Sequence, residues 1–531
     1  MRVLGINAIF HDPAAALVID GHTVAAAEEE RFSRRKHGKR PVPFSAWELP
    51  EMAARWCLEK AGLTPADLDA VAYSYDPALA EDGTAPWEEL RTNYARRAPQ
   101  FLATALPGLD PEIVRFVPHH AAHAASTGLA APFGGNCAVL VADGRGECGS
   151  YLAGRYDDQQ LVKLAEQRLP HSLGLLYEDL TEHLGFLRSS DEYKVMALAS
   201  HAEPVHLDLM REHIRTTDDG GFQIVPIEWN TLAKPPDGEL LQEHAELAAS
   251  VQRRLEEVLL ELTTWLHEQT GERRLAMAGG VALNCVANTR IFAEGPFDEV
   301  WVQPAAGDSG TALGAALHVA SGEPLAPMPG ADLGRSWSDD EIEQVLKTAK
   351  VVYEKPADLA AVVARALADD KIIAWFQGRS EYGPRALGRR SLLANPCHAA
   401  NLERMNDVKG REQFRPIAPM VLQSRAHELF ERGPVPSPYM LFVHDVRPEW
   451  RDRIPAVVHV DGTARAQTVA DDPLLERVLE EFDRRTGVPV VVNTSLNTAG
   501  RPMVDSPRDA LECFGSSPID LLAIGPFVVR R

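Results

Sequence analysis

Two distant stretches of the chain share one grammar, and it restricts the fold more than any other feature. RVLGINA (2–8) is an apolar run, a turn of Phe10-His11-Asp12-Pro13 follows, and AALVID (15–20) is a second run. Short apolar runs bounded by turn residues predict buried strands. Asp20-Gly21 then turns the chain into a third strand, Thr23–Ala27, because D-G supplies the positive φ of a tight hairpin. The pattern returns in NCAVLVA (136–142), the turn DGRGECGS and a strand over 149–155. A strand–turn–strand unit used twice predicts an α/β domain with two related halves. At 531 residues one core is not enough, and two or three domains are expected.

Further strands are predicted at Leu68–Ser74 and Val114–Pro118, with Ser45 capping a helix that runs to Ala61. His119-His120-Ala-Ala-His123 opens a small-residue run that predicts a helix to Ala131. On a helix His119 and His123 share a face one turn apart, the spacing by which two imidazoles chelate one ion. His120 points elsewhere on that geometry and is not a third ligand. Two carboxylates are candidate partners: Asp143, after the strand over 136–142, and Asp308, before a small-residue helix beginning near Ser309. Either aspartate alone reads equally as a turn or cap residue. Taken with both histidines they make a set suited to Fe(II), Mn or Zn. His171–Phe186 is amphipathic and Leu240–Glu268 a long helix. Lys194 either binds a phosphate or pairs with a neighbouring acid. A strand over Leu275–Ala278 leads into Gly279-Gly280, a nest of backbone amides able to hold a nucleotide.

Ser321–Trp337 is rich in proline and glycine and reads as a linker, which sets domains at 1–330 and 331–531. In the second domain the expected elements are a helix over Ser338–Lys350, a strand over Lys371–Phe376 and a helix over Asn401–Val408. A strand over Pro438–Val443, a helix over Pro473–Arg485 and a strand over Val488–Asn493 follow. Between Gln377 and Pro419 lie Arg379, Arg385, Arg389, Arg390, Lys409, Arg411 and Arg415, in a chain of net charge −22. Arginine's planar fork fits phosphate and carboxylate and keeps its charge. The cluster therefore reads as a pocket for a multiply charged anion, or as a solvated basic face.

The wording of these motifs carries a resemblance. SEYGPRALGRRS with VKGREQFRPIAP, FHDPAAAL, AEEERFSRRKHG and DEYKVM resemble O-carbamoyltransferases of the nodulation-factor and nebramycin (tobramycin) type. The family's N-T-S-F-N-x-x-G-E-P is here NTSLNTAGRP, with Leu496 for Phe and Arg501 for Glu, two departures at the pocket rim. The resemblance implies a two-domain α/β protein. Its first domain would be a duplicated actin/hexokinase-like carbamoyl-transfer domain with a metal site, and its second a YrdC-like carbamoyl-activating domain. It implies that carbamoyl phosphate and ATP become carbamoyl adenylate, and that the carbamoyl group then passes to a hydroxyl of an antibiotic-type natural product. Residue by residue, it implies His11, Lys409 and Arg415 as catalytic, with His11 working on the acceptor hydroxyl. Lys409, Arg415, Arg465, Asn493 and Ser495 would bind carbamoyl phosphate. Lys36, Arg385, Arg390, Gly279, Gly280 and Asn284 would bind the nucleotide. A metal, iron by family habit, would sit on His119, His123, Asp143 and Asp308, and Mg²⁺ would accompany ATP.

Other classes fit less well. The net charge of −22 gives no field to attract a polyanion, which argues against nucleic acid and against a tRNA-modifying relative. A zinc peptidase needs the glutamate of H-E-x-x-H, where Ala121 and Ala122 stand. A sugar kinase has no need of the arginine-rich second domain. Six scattered cysteines without C-x-x-C spacing predict reduced thiols in the cytoplasm. Met1–Phe10 lacks an apolar signal core and no run approaches 18 apolar residues, so neither export nor a membrane is expected. The expected partners are ATP, carbamoyl phosphate, a small hydroxyl acceptor and, possible for this class, a second copy of the chain.

Overall fold

After Arg2, every residue of the first strand is buried, and a strand covered on both faces belongs at the centre of its sheet. The computed structural model, which describes residues 1–38, 47–81 and 86–531, places it there. Strands β1 (Arg2–Asn7), β2 (Ala14–Ile19), β3 (His22–Glu28), β4 (Ala70–Tyr73) and β5 (Val114–Phe116) form one sheet in the order β3-β2-β1-β4-β5. The pairs β1–β2 and β2–β3 are antiparallel, while β4 joins β1 and β5 joins β4 in parallel. Ser45 lies outside the described residues; the helix it was expected to cap covers Glu51–Lys60.

The second half repeats this plan. Strands β6 (Cys137–Ala142), β7 (Gly149–Asp157) and β8 (Gln160–Arg168) come first. A small hairpin, β9 (Ile214–Thr216) with β10 (Phe222–Ile224), and then β11 (Arg274–Ala278) and β12 (Glu299–Val302) follow. The five-stranded order is β12-β11-β6-β7-β8, with the same antiparallel and parallel senses as the first sheet. This is the duplicated α/β architecture that the two strand–turn–strand stretches predicted.

Two helices of small residues, His119–Gly128 and Ser309–Ala320, pack against each other. A Cβ added to Gly314 would meet the Ala122 carbonyl oxygen at 1.8 Å, and one added to Gly5 would meet that of Ala312 at 1.8 Å. The backbones touch because no side chain intervenes. That close approach brings the start of the first helix beside the start of the second.

The chain divides into two compact units, Met1–Gly330 and Ala331–Arg531. The segment expected as a linker is pinned on both sides of that boundary. Ala326 and Met328 donate to Gly21 and Ala130 of the first unit, and Gly334 donates to Ser380 of the second. In the second unit come β13 (Tyr353–Glu354), β14 (Ile373–Phe376), β15 (Arg390–Ala394) and β16 (Ala418–Leu422). A three-stranded sheet holds β17 (Phe430–Glu431), β18 (His444–Val446) and β19 (Thr463–Ala464). With β20 (Gln467–Val469), β21 (Val490–Ser495), β22 (Leu521–Ile524) and β23 (Phe527–Arg530), the large sheet runs β13-β23-β22-β14-β15-β21-β16-β20. Its core includes Trp375, Phe376 and Phe482. The strand expected at Pro438–Val443 is absent. Met440 has φ 55°, which no strand tolerates, and the apolar residues Met440–Phe442 are buried outside any strand. Among the described residues no helix is long and apolar enough to cross a membrane.

Candidate functional site

The packed helices and the two turn loops meet at four buried side chains. His119, His123, Asp143 and Asp308 offer ligand atoms that all lie within 4.8 Å of one another. Nε2 of His119 is 3.5 Å from both Asp143 and Asp308, and Nε2 of His123 is 3.6 Å from both. None of these contacts is a hydrogen bond: Nε2 of both rings, and Nδ1 of His123, have no hydrogen-bond partner. Buried polar atoms left bare are costly. Tetrahedral bonds of about 2.1 Å hold neighbouring ligands about 3.4 Å apart, so the spacing and the bare nitrogens both suit one bound divalent ion.

Electrostatics and second contacts support that fit. Burial works against charge on His119, Asp143 and Asp308, yet the imidazoles hold Asp143 well below the usual carboxylate range. Asp308 is likewise lowered to about 2, by His11 first and then by the two imidazoles. Burial is outweighed at His119 too, where the two carboxylates raise the pKa to about 10. The ring of His119 is aimed by its Nδ1 contact with the Ser74 carbonyl at 3.1 Å. One carboxylate oxygen of Glu147 accepts the amides of His119 and Asp76, each at 2.8 Å. The loop after β6 thus supplies a ligand, Asp143, and fixes the start of the histidine helix. His120 comes closer than helical spacing predicted: its Nε2 is 4.0 Å from Asp143. Burial, then the neighbouring His119, lowers it to about 3 and keeps it neutral.

The glycine nest is spent on the protein. Gly279, at φ 93°, donates to Ala306, and the Gly280 amide donates to Asp143 at 2.9 Å. Asn284 caps the helix Cys285–Glu294 and exchanges hydrogen bonds with Gln252. These three nucleotide candidates therefore orient a carboxylate and hold a helix start. His11, on the turn between β1 and β2, has Nε2 3.7 Å from Asp308 and Nδ1 2.9 Å from Asp12. Lys36 is half-buried on the turn after the short helix Glu30–Ser33.

In the second unit the arginine cluster is mostly scaffold. Arg390 is fully buried, and its guanidinium donates to the carbonyls of Gln377, Arg389, Arg335 and Gly378. The Nη1 and Nη2 donors of Arg390 thus serve the fold. Arg379 also bonds backbone carbonyls, Arg389 pairs with Asp472, and Arg411 bonds Asn406. The amides of Leu387, Arg389 and Arg390 converge on Glu381. These three amides form an anion nest, filled by the chain's own carboxylate. Lys409 is buried and donates to Ser495 and Asn497, so it holds the loop after β21 in place.

What remains converges. Asn493 donates to Ala386 and Gln467, and Gln467 donates to Leu387. Asn406 donates to the carbonyl of Arg415. The segments bearing Arg385, Arg465, Asn493 and Ser495 are thus stitched together, with Lys409 bonded to Ser495. The buried atoms there without a hydrogen-bond partner include Nε of Arg465, a donor, and Oδ1 of Asn493, an acceptor. Asn7, Asp12, His37, Ser74, Glu147 and Glu381 escaped the sequence reading. Each sits beside a recognised motif, but only its hydrogen bonds give it meaning.

The fold is that of a two-unit α/β protein, and family comparison gives its kind. The model described as "Carbamoyltransferase N-terminus" matches residues 2–106 and 103–317, and "Carbamoyltransferase C-terminus" matches 364–531. The chain belongs to the carbamoyltransferase family and is an enzyme of that type. It is 38% identical to Nodulation protein NolNO of Sinorhizobium fredii, over 99% of this chain and 80% of that one. Nodulation protein U of Rhizobium tropici is 30% identical, over 94% of this chain and 92% of its own. HypF of T. kodakarensis is a more distant solved structure: 16% identity, TM-score 0.34, covering 61% of this chain and 48% of that one.

Proposed function

We propose that the enzyme is an ATP-dependent O-carbamoyltransferase acting through carbamoyl adenylate. In this reading the second unit takes carbamoyl phosphate, water and ATP to carbamoyl adenylate, phosphate and pyrophosphate. Arg385, Arg415 and Arg465 offset charge on the phosphoryl groups as it redistributes. The bare donor of Arg465 suits a phosphate oxygen, and the bare acceptor of Asn493 suits the carbamoyl NH₂. Mg²⁺ enters with ATP. In the first unit His11 takes the proton of the acceptor hydroxyl as its oxygen attacks the carbamoyl carbon, and AMP leaves. A divalent ion, iron(II) by family resemblance, held by His119, His123, Asp143 and Asp308 would supply Lewis-acid polarisation of the carbonyl. The acceptor is a small natural product with a free hydroxyl.

The observation that carries this reading is the buried set of two histidines and two aspartates with His11 beside it. The test is to incubate the enzyme with carbamoyl phosphate, ATP and a panel of hydroxylated natural products. The expected product is an acceptor heavier by one CONH₂ in place of hydrogen, formed with pyrophosphate. Carbamoylation that proceeds without ATP would reject the adenylate route.

A further inference from the structure

The basic stretch Arg34-Arg35-Lys36-His37 delivers one residue into the first unit's chemistry. Asp12 lies between two imidazoles: Oδ2 is 2.9 Å from Nδ1 of His11, and Oδ1 is 2.8 Å from Nδ1 of His37. An ionised carboxylate only accepts, so both rings donate from Nδ1. We propose that Asp12 and His37 are positioning residues that clamp His11, fixing its Nδ1 proton and presenting Nε2 to the metal-ligand cleft. The inference rests on the proposed role of His11 as the base for the acceptor hydroxyl.

Everything around the trio is arranged to hold it. The amide of His37 donates to Glu30 at 2.9 Å, its carbonyl accepts from Asp12 at 3.3 Å, and its φ is 60°. Arg31 donates to the other oxygen of Glu30 at 3.1 Å. Nε2 of His37 makes no hydrogen bond, so the ring's bond is to Asp12. Asn7, at the end of β1, donates to the carbonyls of both His11 and Asp12 at 3.0 Å. Phe10 and Asp12 flank His11 with φ of 57° and 51°, a strained arrangement of the sort that persists where surroundings over-determine it. The Phe10 ring is in turn held by Arg91, 4.5 Å from its centroid, and by His119 at 5.1 Å. Asp12, Glu30 and His37 also lie within ligand distance of one another. The Asp12 carboxylate, however, is already bonded to His37 Nδ1, and the Glu30 carboxylate accepts from the His37 amide and from Arg31.

The same logic governs an aspartate behind a catalytic histidine, where replacing the acid by its amide leaves the fold intact and the ring in the wrong tautomer. The test is imidazole ¹⁵N–¹H spectroscopy of the full chain, with His11→Gln and His37→Gln assigning the two rings. Wild type is expected to show a protonated, exchange-protected Nδ1 on both. Asp12→Asn has a single acceptor oxygen and is expected to keep protection on one ring at most. His37→Ala is expected to speed exchange of the His11 Nδ1 proton by about tenfold, the worth of one net hydrogen bond. A bare Nδ1 on His11 in wild type overturns the clamp, as do two protected protons persisting in Asp12→Asn. The wild-type spectrum decides even if a variant fails to fold. No arm uses substrate, so failure of the proposed activity and failure of the clamp are read separately.

Discussion

At the scale of single residues, two substitutions separate chemistry from stability. His123→Ala removes one of two imidazoles whose Nε2 atoms have no hydrogen-bond partner. It is expected to lower bound metal from about one equivalent to a small fraction, as loss of one of four ligands does. Full metal content in this variant, measured by elemental analysis, would reject the four-ligand set. Glu29 is a stability residue. Its carboxylate accepts the amides of Met52 and Ala53 at 3.2 and 2.8 Å, but burial outweighs them and raises its pKa to about 7 from 4.5. The folded chain therefore binds this proton more tightly than the unfolded chain. The contribution to stability is full below about pH 4.5 and is lost as pH rises through about 7. Glu29→Gln keeps an acceptor and never ionises, so urea midpoints should fall less steeply across that window. The difference reaches about 1.4 kcal/mol per pH unit at most, and equal slopes in both proteins would show that Glu29 ionises normally.

At the scale of elements, the site exists because two helices can touch. Gly314→Ala would drive a Cβ to 1.8 Å from the Ala122 carbonyl, and backbone there has nowhere to go. Overpacking of this kind costs about 3 kcal/mol and should also part Asp308 from the histidines. Gly135 has open space around its Cβ position, so Gly135→Ala is the control. Unchanged melting and metal content in Gly314→Ala would show that the helices have slack. Much of this was legible in sequence: the duplicated strand–turn–strand, the H-x-x-x-H helix and the small-residue helix after Asp308 all announce themselves locally. The arginine cluster was not, because sequence counts charges without saying what satisfies them. Arg390 and Lys409 are buried against carbonyls, and Glu381 takes up the amides of Leu387, Arg389 and Arg390. The strand expected at Pro438–Val443 failed for a related reason, since buried apolar residues need not lie in a ladder. Glu147 and His37 were invisible because their partners lie far along the chain.

At the scale of the whole molecule, the proposed reaction runs in one direction through two units, and that order makes their defects unequal. Activation requires only carbamoyl phosphate and ATP, whereas transfer requires the product of activation. A lesion in the second unit should therefore silence both steps, and a lesion in the first should silence transfer alone. Arg465 is the residue to change in the second unit. Its Nε is buried with no hydrogen-bond partner, so Arg465→Ala costs the fold little beyond packing. Arg390 and Lys409 are poor choices by comparison, because removing either strips the backbone of bonds. A charge-assisted contact is worth about 1.5–3 kcal/mol, so Arg465→Ala should slow pyrophosphate release by about 10- to 150-fold and carbamoylation in proportion. His123→Ala should leave carbamoyl phosphate-dependent pyrophosphate release within about twofold of wild type while carbamoylated product disappears. The two assays run side by side on both variants decide the matter. Pyrophosphate release lost in His123→Ala, with the fold intact by circular dichroism, would mean that activation depends on the metal-binding unit. Release at the wild-type rate in Arg465→Ala would mean that the bare donor in the second unit is not a phosphate contact.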